Sequence, residues 1–229
     1  MNQKRILLTA RITGVWYLLL AISGVLGFII FQSNTFVAKD PYQTLSNIIA
    51  QESTVRIRLF LEVIIIISQA LVAIWFYRLF KKINSWAAFA ISTWGLMNAA
   101  AIMISAVSMA TAIKLANFPA ATEQEKIVFI HLLNVVISNA WLIGGLFFGL
   151  WLIPMGYTII TSKCMPLWLG RILIIGGMGY ILGTIIKCIG FSHPMLAYIT
   201  IPATIGEFWM ICYLLIFGIR GQNILIKDM

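Results

Sequence analysis

WAAFAISTWGLMNAAAIMISAVSMATA, residues 86–112, holds no ionisable side chain. Wound into an α-helix at 1.5 Å per residue, such a run is about 40 Å long, more than the ~30 Å hydrocarbon layer of a bilayer. A helix that is apolar on every side belongs in lipid or in the centre of a large protein. The rest of the chain favours lipid: 61% of its 229 residues are hydrophobic and 10% are charged, against about a quarter charged in an ordinary soluble domain. Mean hydropathy is +0.97.

Outward from this run, five more predominantly apolar stretches predict spans at about 12–31, 59–77, 130–153, 167–186 and 195–219, with Glu62, Arg171 and Glu207 as the charged residues inside them. The fourth lies in an apolar stretch, 127–160, longer than a bilayer requires, and Pro154 with Gly156 predicts a kinked or frayed end. The fold class is therefore all-α, a polytopic membrane protein with six transmembrane helices in a single helical membrane domain, 1–229. Ahead of the first span, Lys4, Arg5 and Arg11 and the later Ala21-Ile22-Ser23 have the form of a signal peptide, but the apolar run continues to Phe31, which favours a retained helix.

The formal charge of +9 raises the question of nucleic acid. The Lys and Arg residues form no dense cluster and sit at the ends of apolar runs, so no nucleic-acid partner is expected. They set orientation instead, because cytoplasmic loops retain basic residues more than translocated ones. With both termini cytoplasmic, Lys4, Arg5, Arg11, Arg78, Lys81, Lys82, Lys163, Arg171, Arg220 and Lys227 fall inside, and Lys39, Arg56, Arg58, Lys114, Lys126 and Lys187 outside. The lipid bilayer is the expected environment, with the chain crossing it several times.

One connection carries structure of its own. In the first outer loop, Asp40-Pro41 has the form of an N-cap followed by proline at the first helical position, predicting a short extra helix. Leu45, Ile48, Ile49, Val55 and Leu59 recur at helical spacing, which would lay that helix on the membrane, with Glu52 and Arg56 paired upon it. Two G-x-x-x-G patterns, Gly145 to Gly149 and Gly179 to Gly183, predict close packing of the fourth and fifth spans. The same glycine-rich helices leave room for a homo-oligomer or another membrane protein as partner. Cys164, Cys188 and Cys212 make no C-x-x-C pair and read as apolar filler.

Several local patterns together resemble a known family: Arg11-Ile12-Thr13-Gly14 with Tyr17-Leu18, Glu52-Ser53 with Arg56 and Glu62, Phe148-Gly149, Gly156-Tyr157, Ser162, Pro166, Leu169-Gly170, Gly179-Tyr180 and Gly206-Glu207. Over nearly the whole chain they are similar to a bacterial six-helix membrane family catalogued as domain of unknown function 4386. The chain departs from that pattern at Leu167, where an arginine is usual, and at Arg58, where a small residue is usual. The resemblance implies the six-helix fold and brings no activity with it.

Candidate functional residues are the polar groups that lipid does not tolerate. Glu207 lies mid-span, where an acidic side chain costs roughly 2.5–3.5 kcal/mol and must face the bundle, stay protonated or find a partner. Glu62 lies about one turn inside its span, four residues from Arg58, so a local ion pair competes with a functional role. His131, Asn134 and Ser138 share one helical face. Glu207, Glu62, Arg56, His131 and Asn134 would line a polar ligand-binding pocket open to the extracytoplasmic side; a set of interhelical hydrogen bonds is the plainer reading of the same residues. No cofactor or metal is expected, since no helix carries a ligand pair and His193 stands beside Pro194 in a loop. The abundant aromatic residues read as lipid-facing mass and interfacial anchors such as Trp86 and Trp168. No P-loop, dinucleotide fingerprint, G-x-S-x-G or H-E-x-x-H occurs.

Three functions follow from this reading. The protein binds or moves a small or lipid-like ligand; or it is a membrane-embedded enzyme acting on a lipid or quinone, with a glutamate as acid or base and His131 assisting; or it is a non-catalytic partner that stabilises or regulates another membrane protein.

Overall fold

Helix start and stop signals, added to the apolar runs, explain where each element begins. The computed structural model describes residues 3–32, 35–37, 40–191 and 193–219. Helix α1 spans Gln3–Val25 and continues as a π-helical stretch, Leu26–Gln32. Then follow α2 (Pro41–Ala50), α3 (Glu52–Phe80), α4 (Ser85–Ala116), α5 (Glu123–Ser162) and α6 (Leu167–Cys188). A 3-10 turn at Pro194–Thr200 leads into α7, Ile201–Ile216. Among the described residues six helices are long and apolar enough to cross a membrane. The cationic residues Lys39, Arg220 and Lys227, used in the orientation argument, lie outside the described residues.

Helices α1, α3 and α5 outrun the apolar stretches, and at α5 capping sets the start. Helix α5 starts seven residues before the expected 130: Thr122 and Glu125 form a capping box, with Glu125 accepting from the Thr122 backbone N at 2.8 Å and Thr122 Oγ1 accepting from the Glu125 backbone N at 3.3 Å. It also runs through Pro154 to Ser162, so the expected end at 153 is corrected. A proline removes one donor from the ladder without preventing the turns beyond it, and Thr158 Oγ1 donates to the Pro154 carbonyl at 2.8 Å. The helix stops at Lys163, whose φ of 54° is the left-handed cap conformation that glycine ordinarily takes.

The short outer helix is present, with Asp40 Oδ1 accepting from the Gln43 backbone N at 2.9 Å. It ends at Ala50, and Gln51 separates it from α3, so Glu52, Arg56, Val55 and Leu59 belong to α3 and not to α2. Leu45 and Ile48 are buried in a cluster with Val55, Met109, Ile113 and Ile130, while Ile49 is exposed. That apolar face is thus covered by protein.

The chain forms two compact units. The first comprises Met1–Leu18, Ser68–Asn98 and Gly144–Met229; the second comprises Leu19–Ile67 and Ala99–Ile143. The first is organised around α6, whose glycines admit a neighbour on two sides. A Cβ at Gly177 would lie 2.7 Å from the Gly149 carbonyl oxygen, and one at Gly170 would lie 2.8 Å from that of Gly156. These pairs run in opposite chain directions at seven-residue spacing, so α5 and α6 cross antiparallel with their backbones in contact. On the other side Gly176 abuts Ala203 and Gly179 abuts the Ile199 carbonyl. The expected pairing of α5 with α6 is therefore present, but through Gly170 and Gly177; Gly179 and Gly183 face the 3-10 turn.

The second unit has the buried cluster around Ile48, Val55 and Ile130 as its core. Asn134, buried on α5, donates from Nδ2 to the Val37 carbonyl at 3.2 Å and ties down the outer loop. In the π-helical stretch, Gly27 makes room for Arg58, whose Nη1 would lie 3.4 Å from a Cβ there.

Candidate functional site

Each unit holds one glutamate within a membrane span, Glu62 fully buried and Glu207 partly so, and the two are met by different chemistry. In the second unit Glu62 and Arg58, four apart on α3, form an ion pair with both side chains 0% exposed. Trp141 Nε1 donates to Glu62 Oε1 at 3.2 Å and to Ser105 Oγ at 3.1 Å. The Arg58 guanidinium lies 5.1 Å from the centre of the Phe28 ring, which meets Trp141 edge-on at 4.4 Å. The carboxylate therefore has a cation and a neutral donor, and the cation has an aromatic face. In a medium of low dielectric a charge keeps its ionised form only with such partners.

In the first unit Glu207, partly buried on α7, has a neutral partner. The Tyr17 hydroxyl of α1 donates to Glu207 Oε1 at 2.6 Å, and among the described residues no basic side chain is paired with Glu207. Gly206, beside it, lets α7 approach Ile172 and Leu173 of α6. Tyr17 is held by an aromatic group: Phe76 meets it edge-on at 5.7 Å and Trp151 at 5.5 Å, and Phe148 packs on Trp151 at 5.6 Å. Tyr17, Phe76 and Trp151 are buried. Helix α3, which carries Phe76, also contributes Gln69, fully buried, whose Nε2 lies 3.4 Å from where a Cβ of Gly95 would stand; Trp151 Cε3 lies 3.1 Å from the same point. Carboxyl, phenol, indole and amide thus gather in one unit, the first two in a 2.6 Å hydrogen bond.

Of the residues expected from sequence to make a pocket, Glu207 falls in the first unit and Glu62, Arg56, His131 and Asn134 in the second. Arg56 is exposed and bonds Glu52 Oε1 through Nε at 2.7 Å. His131 and Ser138 are exposed, whereas Asn134 is buried and spends an amide hydrogen on Val37. Tyr17, Trp151 and Gln69 were not singled out by spacing. Tyrosine and tryptophan are common in membrane helices as lipid-facing mass, so their identity gives no signal; Trp86 and Trp168 are exposed as anchors are, while Trp151 is not. A glutamine in the middle of an apolar run is the one signal available, since hydrocarbon accepts an amide poorly.

Comparison with known proteins adds no chemistry. The chain is similar to an uncharacterized protein of Archaeoglobus fulgidus, 29% identical over 69 residues, a stretch that is 30% of this chain and spans 43% of that relative's length. No solved structure matches it. A family model matches residues 12–218, nearly the whole chain, and the protein belongs to that family, DUF4386, a domain of unknown function.

Proposed function

We propose that this multi-pass membrane protein binds a small or lipid-like molecule at an intramembrane site anchored by Glu207. The observation that carries the reading is the hydrogen bond from Tyr17 to Glu207, in which the carboxyl of a membrane span has one neutral donor and, among the described residues, no cation. An acidic group at mid-span costs roughly 2.5–3.5 kcal/mol, and a neutral hydrogen bond returns about 1 kcal/mol. The remainder is a burden on the fold that a Gln or Leu at this position would remove. A ligand that meets the carboxyl gives it a purpose. The polar groups gathered around Trp151 supply further contacts, and the aromatic rings supply an apolar wall of the kind small-molecule sites use.

Orientation belongs to the same proposal: both termini cytoplasmic, in a cell membrane, by the excess of basic residues on that side. Glu62 enters it differently from Glu207, because Arg58 already neutralises it within α3.

The test is retention of copurifying molecules. Wild type, Glu207→Leu and Tyr17→Phe, each purified in nanodiscs, are extracted and their bound small molecules compared by mass spectrometry. The expected result is a species held near equal stoichiometry by wild type, lost from Glu207→Leu and reduced in Tyr17→Phe. Identical profiles from all three, together with a higher unfolding midpoint for Glu207→Leu, would show that the glutamate is a structural remnant.

A further inference from the structure

Among the described residues, three buried polar atoms of the first unit have no hydrogen-bond partner in the protein: Gln69 Nε2, Gln69 Oε1 and Trp151 Nε1. Both side chains are 0% exposed. Exchanging the two ends of the Gln69 amide does not help, since neither end is paired. Hydrocarbon supplies nothing to replace the missing bonds, so a membrane helix that keeps such groups keeps them for a partner that is not protein. Both residues face the point where a Gly95 Cβ would stand, the Gln69 amide nitrogen at 3.4 Å and Cε3 of Trp151 at 3.1 Å. Trp151 in turn meets Tyr17, the residue that holds Glu207.

We propose that Gln69 and Trp151 form the neutral end of the ligand site and that they take an O–H group carried on an apolar molecule. This rests on the reading of Glu207 as a ligand anchor. The chemistry of the three atoms selects the class. Two of them, the indole N–H and the amide N–H, donate; the third, the amide oxygen, accepts. A group that satisfies both kinds must itself accept and donate. An alcohol or an un-ionised carboxylic acid does so, whereas an ester or the carbonyl of an oxidised quinone only accepts and would leave Gln69 Oε1 bare. Phosphate and quaternary ammonium bring a charge that these two neutral side chains do not compensate.

The experiment uses the full chain in phosphatidylcholine nanodiscs with two photoreactive probes, hexadecanol and hexadecyl methyl ether, each carrying the same mid-chain diazirine. After photolysis, labelled peptides are located by mass spectrometry. The alcohol is expected to label the segments around Gln69 and Trp151 about fivefold more than the ether, the effect of one hydrogen bond. Gln69→Leu and Trp151→Phe, the latter keeping an aromatic six-membered ring while losing the pyrrole ring that carries the N–H donor, are each expected to lower alcohol labelling by a similar factor. Equal labelling by both probes, or labelling indifferent to both substitutions, overturns the proposal; so does an ordered water on Gln69 that the alcohol fails to displace. Without probe, Gln69→Leu should unfold at the wild-type temperature or above it, and a fall would mean that Gln69 is already paired inside the protein. Glu207→Leu separates the two readings. If it leaves all alcohol labelling unchanged while Gln69→Leu removes it, the anchor role of Glu207 fails; if only Glu207→Leu matters, the assignment of Gln69 and Trp151 fails and the anchor stands.

Discussion

Removing one partner of the Arg58–Glu62 pair should be far more damaging than removing both. The two side chains are 0% exposed, so neither charge has water to fall back on. Glu62→Gln keeps the acceptor that Trp141 Nε1 uses at 3.2 Å and deletes only the charge, leaving Arg58 buried beside the Phe28 ring without its anion. Breaking a buried pair in this way costs about 3–5 kcal/mol, whereas replacing both partners with apolar residues of similar volume is often neutral or stabilising. Arg58→Met alone should cost the same range, because the carboxylate is then left with Trp141 as its donor. Arg58→Met with Glu62→Leu should return to within about 1 kcal/mol of wild type or exceed it. The assay is equilibrium unfolding in mixed micelles of increasing sodium dodecyl sulfate fraction, followed by circular dichroism, for all three variants. If each single substitution costs under about 1 kcal/mol, or if the double variant is as damaged as the sum of the singles, the pair is solvated and the account of it as a desolvated unit is wrong.

Other predictions are simpler to read. Gly177→Val places side-chain atoms against the Gly149 carbonyl and should lower stability by about 1–3 kcal/mol, while Gly24→Ala, which meets nothing within 4 Å, should be neutral or raise it by up to about 1 kcal/mol; the same unfolding assay compares them. Lys163→Gly relieves a left-handed residue at the end of α5 and should stabilise by about 1 kcal/mol. Cys164, in the loop after α5, is buried, and burial disfavours the thiolate and raises its pKa above the ordinary cysteine value, so less of the reactive form is present at any pH below that point. Cys188 at the end of α6 is exposed. A membrane-impermeant maleimide applied to whole cells at pH 7.5 should therefore modify Cys188 rapidly, and Cys164 should remain slow even after permeabilisation. Rapid Cys164 labelling in intact cells would reverse the proposed orientation.

The sequence was legible where lipid imposes a single answer. A run such as 86–112 has no role in water, and hydrocarbon permits only helix or closed barrel, so six spans followed from counting. Asp40-Pro41 located α2 because its two residues do a mechanical job within one turn, and Glu62 with Arg58 was readable for the same reason, being four apart on one helix. Contacts between helices were not legible. Tyr17 and Glu207 are 190 residues apart, and nothing in either segment points to the other. The glycine motifs named the helices that would pack without giving the register, because Gly170 and Gly177, spaced by seven, meet Gly156 and Gly149 while Gly179 faces Ile199. His131 and Asn134 share a face by spacing, yet one is exposed and the other is buried against the outer loop, a distinction set by what packs on the helix and not by its period.

The contrast between the two glutamates gives the site proposal its direction. Glu62 has its cation on the same helix, four residues away, so its charge is neutralised as soon as α3 forms and asks nothing of the remaining helices beyond one indole hydrogen bond. A group so completely provided for has little left to offer a ligand, and disturbing it should read out as stability. Glu207 depends on a hydroxyl from α1 and, among the described residues, has no charge partner, while Trp151 and Gln69 of the same unit hold polar atoms that those residues do not pair. Stability alone would favour leucine at 207 and at 69, since each polar group costs more in hydrocarbon than its visible contacts return. Groups that burden the fold and are gathered around the Tyr17–Trp151 contact are where binding is to be sought. Disturbing them should read out in what the protein retains, with unfolding temperature unchanged or raised.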